Sequence, residues 1–355
     1  MDVNKVLAKF AAVGLMVGVG SVLSSQAAQA EQTELGPLSS SDLGPLAGSE
    51  TALILGGTTE PTPSNAFARA AENLFLHPLG FDGGATSSTV CDMIVTSPCA
   101  APLQVLTTPE LIQQGPSSLT GADDVTLAVE NEFNAHPGLY TAENPLTVFG
   151  YSQSATADSI ATNQIYDYSM AHDNSIPLDS LHFVFIGDPS LEGTGIWAPS
   201  AADPSQSNLE YDLASLIGPE KADHILDALG IVANDGIGQQ VLGNVTPNDL
   251  YPATIYSLDG DSVAQFQPVF EQSGLLGTIW HLFTTHVEYL GLTPEEIANA
   301  TVSTDPNSSL TLVDIPDTFN NAGAWLSAVF EHGAAGSGLL ESVWQSLELY
   351  LTNSF

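Results

Sequence analysis

The chain has 355 residues, with 41 Asp and Glu against four Lys and Arg and a formal net charge of −37. Such a surface repels phosphate backbones, which sets nucleic acid aside as a partner, and it excludes a fold stapled by many Lys–Glu pairs. The length suffices for one large domain with a substantial core.

In chain order, Lys5 and Lys9 precede an apolar run from Phe10 to Leu23 and a small-residue end, "SSQAAQA". This is the layout of a secretory signal peptide over residues 1–30, cleaved after Ala30; the apolar run is too short to span a bilayer comfortably. Residues 31–50, rich in Gly, Pro and Ser, read as a flexible arm before a domain over 51–355. "TALILGG", Thr51 to Gly57, predicts a buried strand stopped by two glycines, and "SNAFARAAENLF" a helix after it. Cys91 and Cys99, the two cysteines of the chain, predict one disulfide in an exported protein. "APLQVLTTP" reads as a second strand. "GADDVTLAVENEFNAH" reads as a helix whose acidic residues, Asp123 and Asp124, suit a first turn.

"NPLTVFGY", "LHFVFIGDP" and "PATIYSLDGD" predict three more strands, and "SATADSIATNQIYDYSMAH" a helix after the first of them. Strands alternating with helices imply a mostly parallel sheet covered on both faces. Residues 190–250 are long for a connection and read as a lid or cap. From Leu275 onward the pattern is mainly helical, ending in an amphipathic C-terminal extension over 320–355.

Gly150-Tyr151-Ser152-Gln153-Ser154 lies between a predicted strand and a predicted helix. A nucleophile elbow requires that context: a tight turn with small neighbours that exposes the serine hydroxyl. Ser154 stands where a second glycine is usual. The turn aims the Gln153 N–H and the helix N-terminus at a developing oxyanion, and the Gly56-Gly57-Thr58 loop offers a second N–H at Thr58. A serine needs a base. Of eight histidines, His281 and His286 follow the last predicted strand, and His286 is the preferred base. Asp188, Asp259 and Asp261, all at strand ends, are candidates for the acid that orients it.

"GYSQSA" after "PLTVF" resembles the elbow of the PE-PPE domain family, exported serine hydrolases of mycobacteria and their relatives. "ALILGGTTEPTP" is similar to that family's first strand and Gly-Gly-Thr loop, "HFVFIGDP" to its strand ending in Gly-Asn-Pro, and "HVEY" to its His-x-x-Tyr. "DSVAQF", Asp261 to Phe266, is similar to its Asp-Gly-x-Ala-Asp-Phe, and "SSLTLVDIPDTF" to its closing strand. The resemblance spans roughly residues 50–320 and implies an α/β-hydrolase-like fold with a Ser152, Asp261, His286 triad. Ser262 and Gln265 depart from the family pattern beside the acid, which leaves Asp261 and Asp259 as alternatives.

The implied activity is hydrolysis of carboxylic esters, as by an esterase or lipase, through an acyl-enzyme and without metal or cofactor. Acyl transfer onto envelope glycolipids and a non-catalytic surface role on the same fold are the rival readings. The expected partner is an ester or lipid small molecule, with transient contact to a lipid surface compatible with it. The expected location is outside the cell or in the envelope.

Overall fold

The core is organised around one eight-stranded sheet. Its strands are β1 (Ala52–Ile54), β2 (Val90–Met93), β3 (Leu103–Leu106), β4 (Leu146–Tyr151), β5 (Leu181–Ile186), β6 (Ala253–Leu258), β7 (Thr301–Thr304) and β8 (Leu310–Ile315). The computed structural model describes residues 44–83, 89–228, 230–231, 241–317 and 321–333. The expected signal peptide, most of the arm and the C-terminal stretch from residue 334 lie outside the described residues. The strand order is β2-β3-β1-β4-β5-β6-β8-β7. Every neighbouring pair is parallel except β7–β8.

Strands β1, β4, β5 and β6 are buried at every position, as near-continuous apolar runs require when both faces of a sheet are covered. Side chains alternate between two cores. Leu53, Val148, Phe183, Phe185 and Ile255 share one core with Val125, Ala157 and Ile165. Val125 lies on helix α2 (Gln114–Ala135), and Ala157 and Ile165 on helix α3 (Gln153–Ala171). Ile54, Phe149, Tyr151, Ile186 and Tyr256 share the other core with Phe67, Phe75 and Tyr289. Phe67 lies on helix α1 (Asn65–Ala71), Phe75 on its π-helical continuation Glu72–Leu76, and Tyr289 in the 3-10 segment Thr285–Gly291. This is the mostly parallel sheet with both faces covered that the alternation of strands and helices predicts.

Three local expectations differ from the structure. Helix α2 starts at Gln114, so Asp123 and Asp124 sit in its interior and not in its first turn. Pro116 is tolerated near the start because a first-turn N–H has no intrahelical partner to lose. The short strands β2 and β7 were not expected; both are partly exposed edge strands of four residues, too short to set up a pattern. The helix before the 3-10 segment, α6 (Phe266–Phe283), begins earlier than Leu275 and is kinked at Gly274, where φ is +63°.

Cys91 and Cys99 are joined in a disulfide that ties β2 to the following loop. The long connection before β6 carries helices α4 (Asn208–Ile217) and α5 (Pro219–Ala228). These helices have a small core of their own, built on Trp197, Leu213, Leu226 and Val241. Ser207 and Glu210 form a reciprocal cap at the start of α4. Among the described residues no helix is long and apolar enough to cross a membrane.

Candidate active site

Strand β4 ends at Tyr151, and α3 begins at Gln153. Ser152 alone makes the turn, with φ +56° and ψ −112°. A β-carbon disfavours that region by about 1–3 kcal/mol, so the surrounding contacts must hold the residue there. They include the Ser152 N–H, which donates to the Ile186 carbonyl at 3.0 Å, and the Ser152 carbonyl, which accepts from Thr156 N–H at 3.3 Å. The strand-to-helix setting read from the sequence is therefore present, with the serine at its sharpest point.

The 3-10 segment after α6 brings His286 to the same edge. Its Nε2 lies 2.7 Å from Ser152 Oγ and its Nδ1 lies 2.8 Å from Asp261 Oδ1. With the Nδ1 proton on the aspartate side, Nε2 is free to accept from the serine hydroxyl. The Tyr151 hydroxyl donates to the His286 carbonyl at 2.7 Å, which fixes the backbone that carries the imidazole.

Asp261 is fully buried. Its Oδ1 also accepts from the Val263 N–H at 2.8 Å, and its Oδ2 accepts from the Tyr289 hydroxyl at 2.7 Å. Burial disfavours the ionised carboxylate, but the adjoining His286 and these hydrogen bonds outweigh it and hold the carboxyl below its ordinary value. A β-carbon placed on Gly187, where φ is +59°, would lie 2.9 Å from His286 Cε1 and 3.1 Å from Asp261 Oδ2. The residue after β5 is thus a wall of the site.

The rival residues are engaged elsewhere. Asp188 accepts from Thr246 Oγ1 at 2.6 Å and from the Ser190 N–H at 2.9 Å, and burial pushes its carboxyl up to about 6 against those bonds. Asp259 has its carboxyl raised by burial, with a hydrogen bond from Gln265 acting the other way. His281 Nδ1 lies 3.0 Å from Thr285 Oγ1. His182, on β5, lies 3.0 Å from Thr254 Oγ1, and burial lowers its imidazole to about 4.

Thr58 and Gln153 are brought close through Gln114, the first residue of α2. Its Nε2 donates to Thr58 Oγ1 at 3.1 Å and, more weakly, to Gln153 Oε1 at 3.5 Å. A β-carbon on Gly57 would lie 3.5 Å from Ser152 Cβ, so the loop after β1 approaches the elbow closely. The Gln153 N–H belongs to the first turn of α3, where no intrahelical acceptor exists.

Sequence reasoning missed Gln114, Tyr289 as a partner of Asp261, and the role of Gln265. Gln265 Nε2 donates to Ser257 Oγ at 3.0 Å, and its Oε1 accepts from Gly260 N–H at 3.2 Å, which braces the turn that carries Asp261. Gln114 and Tyr289 reach their partners across the fold, Tyr289 from within the His-x-x-Tyr pattern, whereas Gln265 braces a turn only five to eight residues before it.

Residues 96–216 match the family model of the PE-PPE domain. The match holds the elbow but ends before Asp261 and His286. Over 252 residues the chain is 27% identical to the uncharacterized PPE family protein PPE28 of Mycobacterium tuberculosis, covering 69% of this chain and 30% of that protein. Over 281 residues it is 27% identical to Esterase PE16 of the same organism, covering 75% and 42% respectively. The chain therefore spans less than half the length of these curated relatives.

Among solved structures, a cutinase-like protein from Cryptococcus sp. is 15% identical with a TM-score of 0.31, covering 70% of this chain and 98% of that one. YbtT, a type II thioesterase of the yersiniabactin pathway, is 14% identical with a TM-score of 0.28, covering 82% and 96%.

Proposed function

We propose that this PE-PPE-type chain is an exported serine hydrolase that cleaves carboxylic esters through Ser152, His286 and Asp261. The observation that carries the reading is the unbroken run of hydrogen bonds from Ser152 Oγ through both ring nitrogens of His286 to Asp261. Similarity to a protein named an esterase supports the substrate class. The Cys91–Cys99 disulfide and the signal-like residues 1–30 support export.

In this reading His286 Nε2 takes the proton of Ser152 Oγ as the oxygen attacks the ester carbonyl carbon. Asp261 keeps the imidazole in the productive tautomer and stabilises the imidazolium that forms. The carbonyl oxygen gains negative charge in the tetrahedral intermediate. The main-chain N–H groups of Thr58 and Gln153 receive it, each such donor being worth about 3–4 kcal/mol in related chemistry. Collapse breaks the ester C–O bond, and the departing alkoxide collects the proton from Nε2. Water then repeats the sequence on the acyl-serine, with His286 as base, and frees the carboxylic acid. The test is Ser152→Ala, which should abolish hydrolysis of a short p-nitrophenyl ester while the circular dichroism spectrum stays native. Undiminished turnover in that variant would overturn the assignment.

A further inference from the structure

Behind the elbow lies a buried acid that this mechanism does not use. Glu110, between β3 and α2, is 3% exposed and has φ +44°, an unusual conformation for a residue with a side chain. Its carbonyl accepts from the Thr59 N–H at 2.7 Å. Its Oε1 lies 2.8 Å from Thr108 Oγ1 and 2.8 Å from Ser154 Oγ. Ser154 Oγ also reaches the Gly56 carbonyl. One acid thus touches the main chain of the loop that carries Thr58 and, through Ser154, both that loop and the first turn of α3.

The Ser154 hydroxyl has one proton and two oxygens within reach. An ionised Glu110 would compete with the Gly56 carbonyl for it. A neutral Glu110 supplies the second proton and gives a directed chain: Glu110 O–H to Ser154 Oγ, Ser154 O–H to the Gly56 carbonyl. Burial pushes the Glu110 carboxyl up to about 7, against the bond from Thr108 and against one from Ser154 whenever that hydroxyl points at the acid rather than at the Gly56 carbonyl. The facing acid is Asp158 on α3, itself raised by burial and then by Glu110 and Asp188. Its Oδ2 sits 2.2 Å from where a Gly150 β-carbon would stand, directly under the elbow. Ionising Glu110 would add charge beside these carboxyls, away from water.

We propose that Glu110, in its protonated form, is a positioning residue that acts through Ser154 and Thr59 to hold Thr58 against the elbow. Ser154, where a second glycine is usual, is then the link that this arrangement needs. The inference rests on the hydrolase reading above.

The test compares Glu110→Ala, Glu110→Gln and Ser154→Ala with the wild-type chain on a short p-nitrophenyl ester across about pH 6–9. Misplaced donors weaken binding of the transition state more than of the substrate, so Glu110→Ala and Ser154→Ala should lose about 10- to 100-fold in kcat with KM within about threefold. Glu110→Gln keeps an N–H donor and a carbonyl acceptor without charge, and should recover kcat to within about threefold. Wild-type kcat should decline as pH rises past about 7, and Glu110→Gln should lack that decline. Wild-type kcat in Glu110→Ala, or an equal loss in Ala and Gln, overturns the proposal. If Glu110→Ala does not fold, Ser154→Ala decides, and unchanged kcat there overturns it. An inactive wild-type chain, or an active Ser152→Ala, sinks the hydrolase reading instead, so the two failures are distinguishable.

Discussion

Replacing Tyr289 with Phe removes one oxygen and almost no volume, yet that oxygen has two buried partners. The hydroxyl donates to Asp261 Oδ2 at 2.7 Å and accepts from the Leu258 N–H at 2.8 Å. Tyr289 is fully buried, so water does not replace either bond. Orphaning the Leu258 N–H costs about 1–3 kcal/mol, and losing a hydrogen bond to a charged group costs about 1.5–3 kcal/mol. The sum, about 2.5–6 kcal/mol, corresponds to a drop of about 4–10 °C in Tm for a domain of this size. The same oxygen helps keep the Asp261 carboxyl below its ordinary value, so its loss should raise that carboxyl and move the acid limb of kcat to higher pH. Thermal and urea denaturation with a pH–rate profile measure both effects. A Tm within about 2 °C of wild type, with an unmoved acid limb, would refute the reasoning.

Two further outcomes follow from the same geometry. Gly187→Ala should cut fluorophosphonate labelling of Ser152 at least about tenfold, because the new methyl lies within 2.9 Å of His286 Cε1 at a left-handed backbone position; wild-type labelling would count against that wall. The folded protein should be more stable at about pH 5 than at pH 8. Glu110 and Asp188 hold their protons more tightly folded than unfolded, so their contribution is complete below the ordinary carboxylate range and is lost as pH rises through about 6 to 7. Each full shift corresponds to something on the order of 3 kcal/mol; Asp261, of opposite sign, is already ionised at pH 5, and the lowered imidazole of His182, which favours the higher pH, offsets only part of the two. Urea midpoints at the two pH values check this, and a higher midpoint at pH 8 would contradict it.

What was legible in the sequence, and what was not, divides along a physical line. The central strands were legible because burial on both faces leaves an unmistakable run, as in "PLTVFGY" and "LHFVFIG". The elbow was legible because strand, turn and helix are contiguous, so a local pattern carries a local structure. His286 was within reach because its position after the last central strand puts it on the same sheet edge as Ser152. Choosing among Asp188, Asp259 and Asp261 was a different problem. In a chain with 41 acidic residues, type and spacing carry little weight, and only the distance to His286 Nδ1 separates the three.

Glu110 is the extreme case. Nothing in "LTTPELIQQG" distinguishes it from a solvated loop acid, since its environment is assembled from Thr108, Ser154, Asp158 and the loop after β1. A carboxyl that would be charged on the surface is neutral near pH 7 only when the rest of the fold removes water from it. The composition sharpens this point. A chain so rich in acids has few cations with which to pair a buried carboxylate. Protonation combined with hydrogen bonding to Ser and Thr is then a route by which an inward-facing acid is kept at low cost, and Glu110, bonded to Thr108 and Ser154 with its carboxyl raised by burial, fits that route.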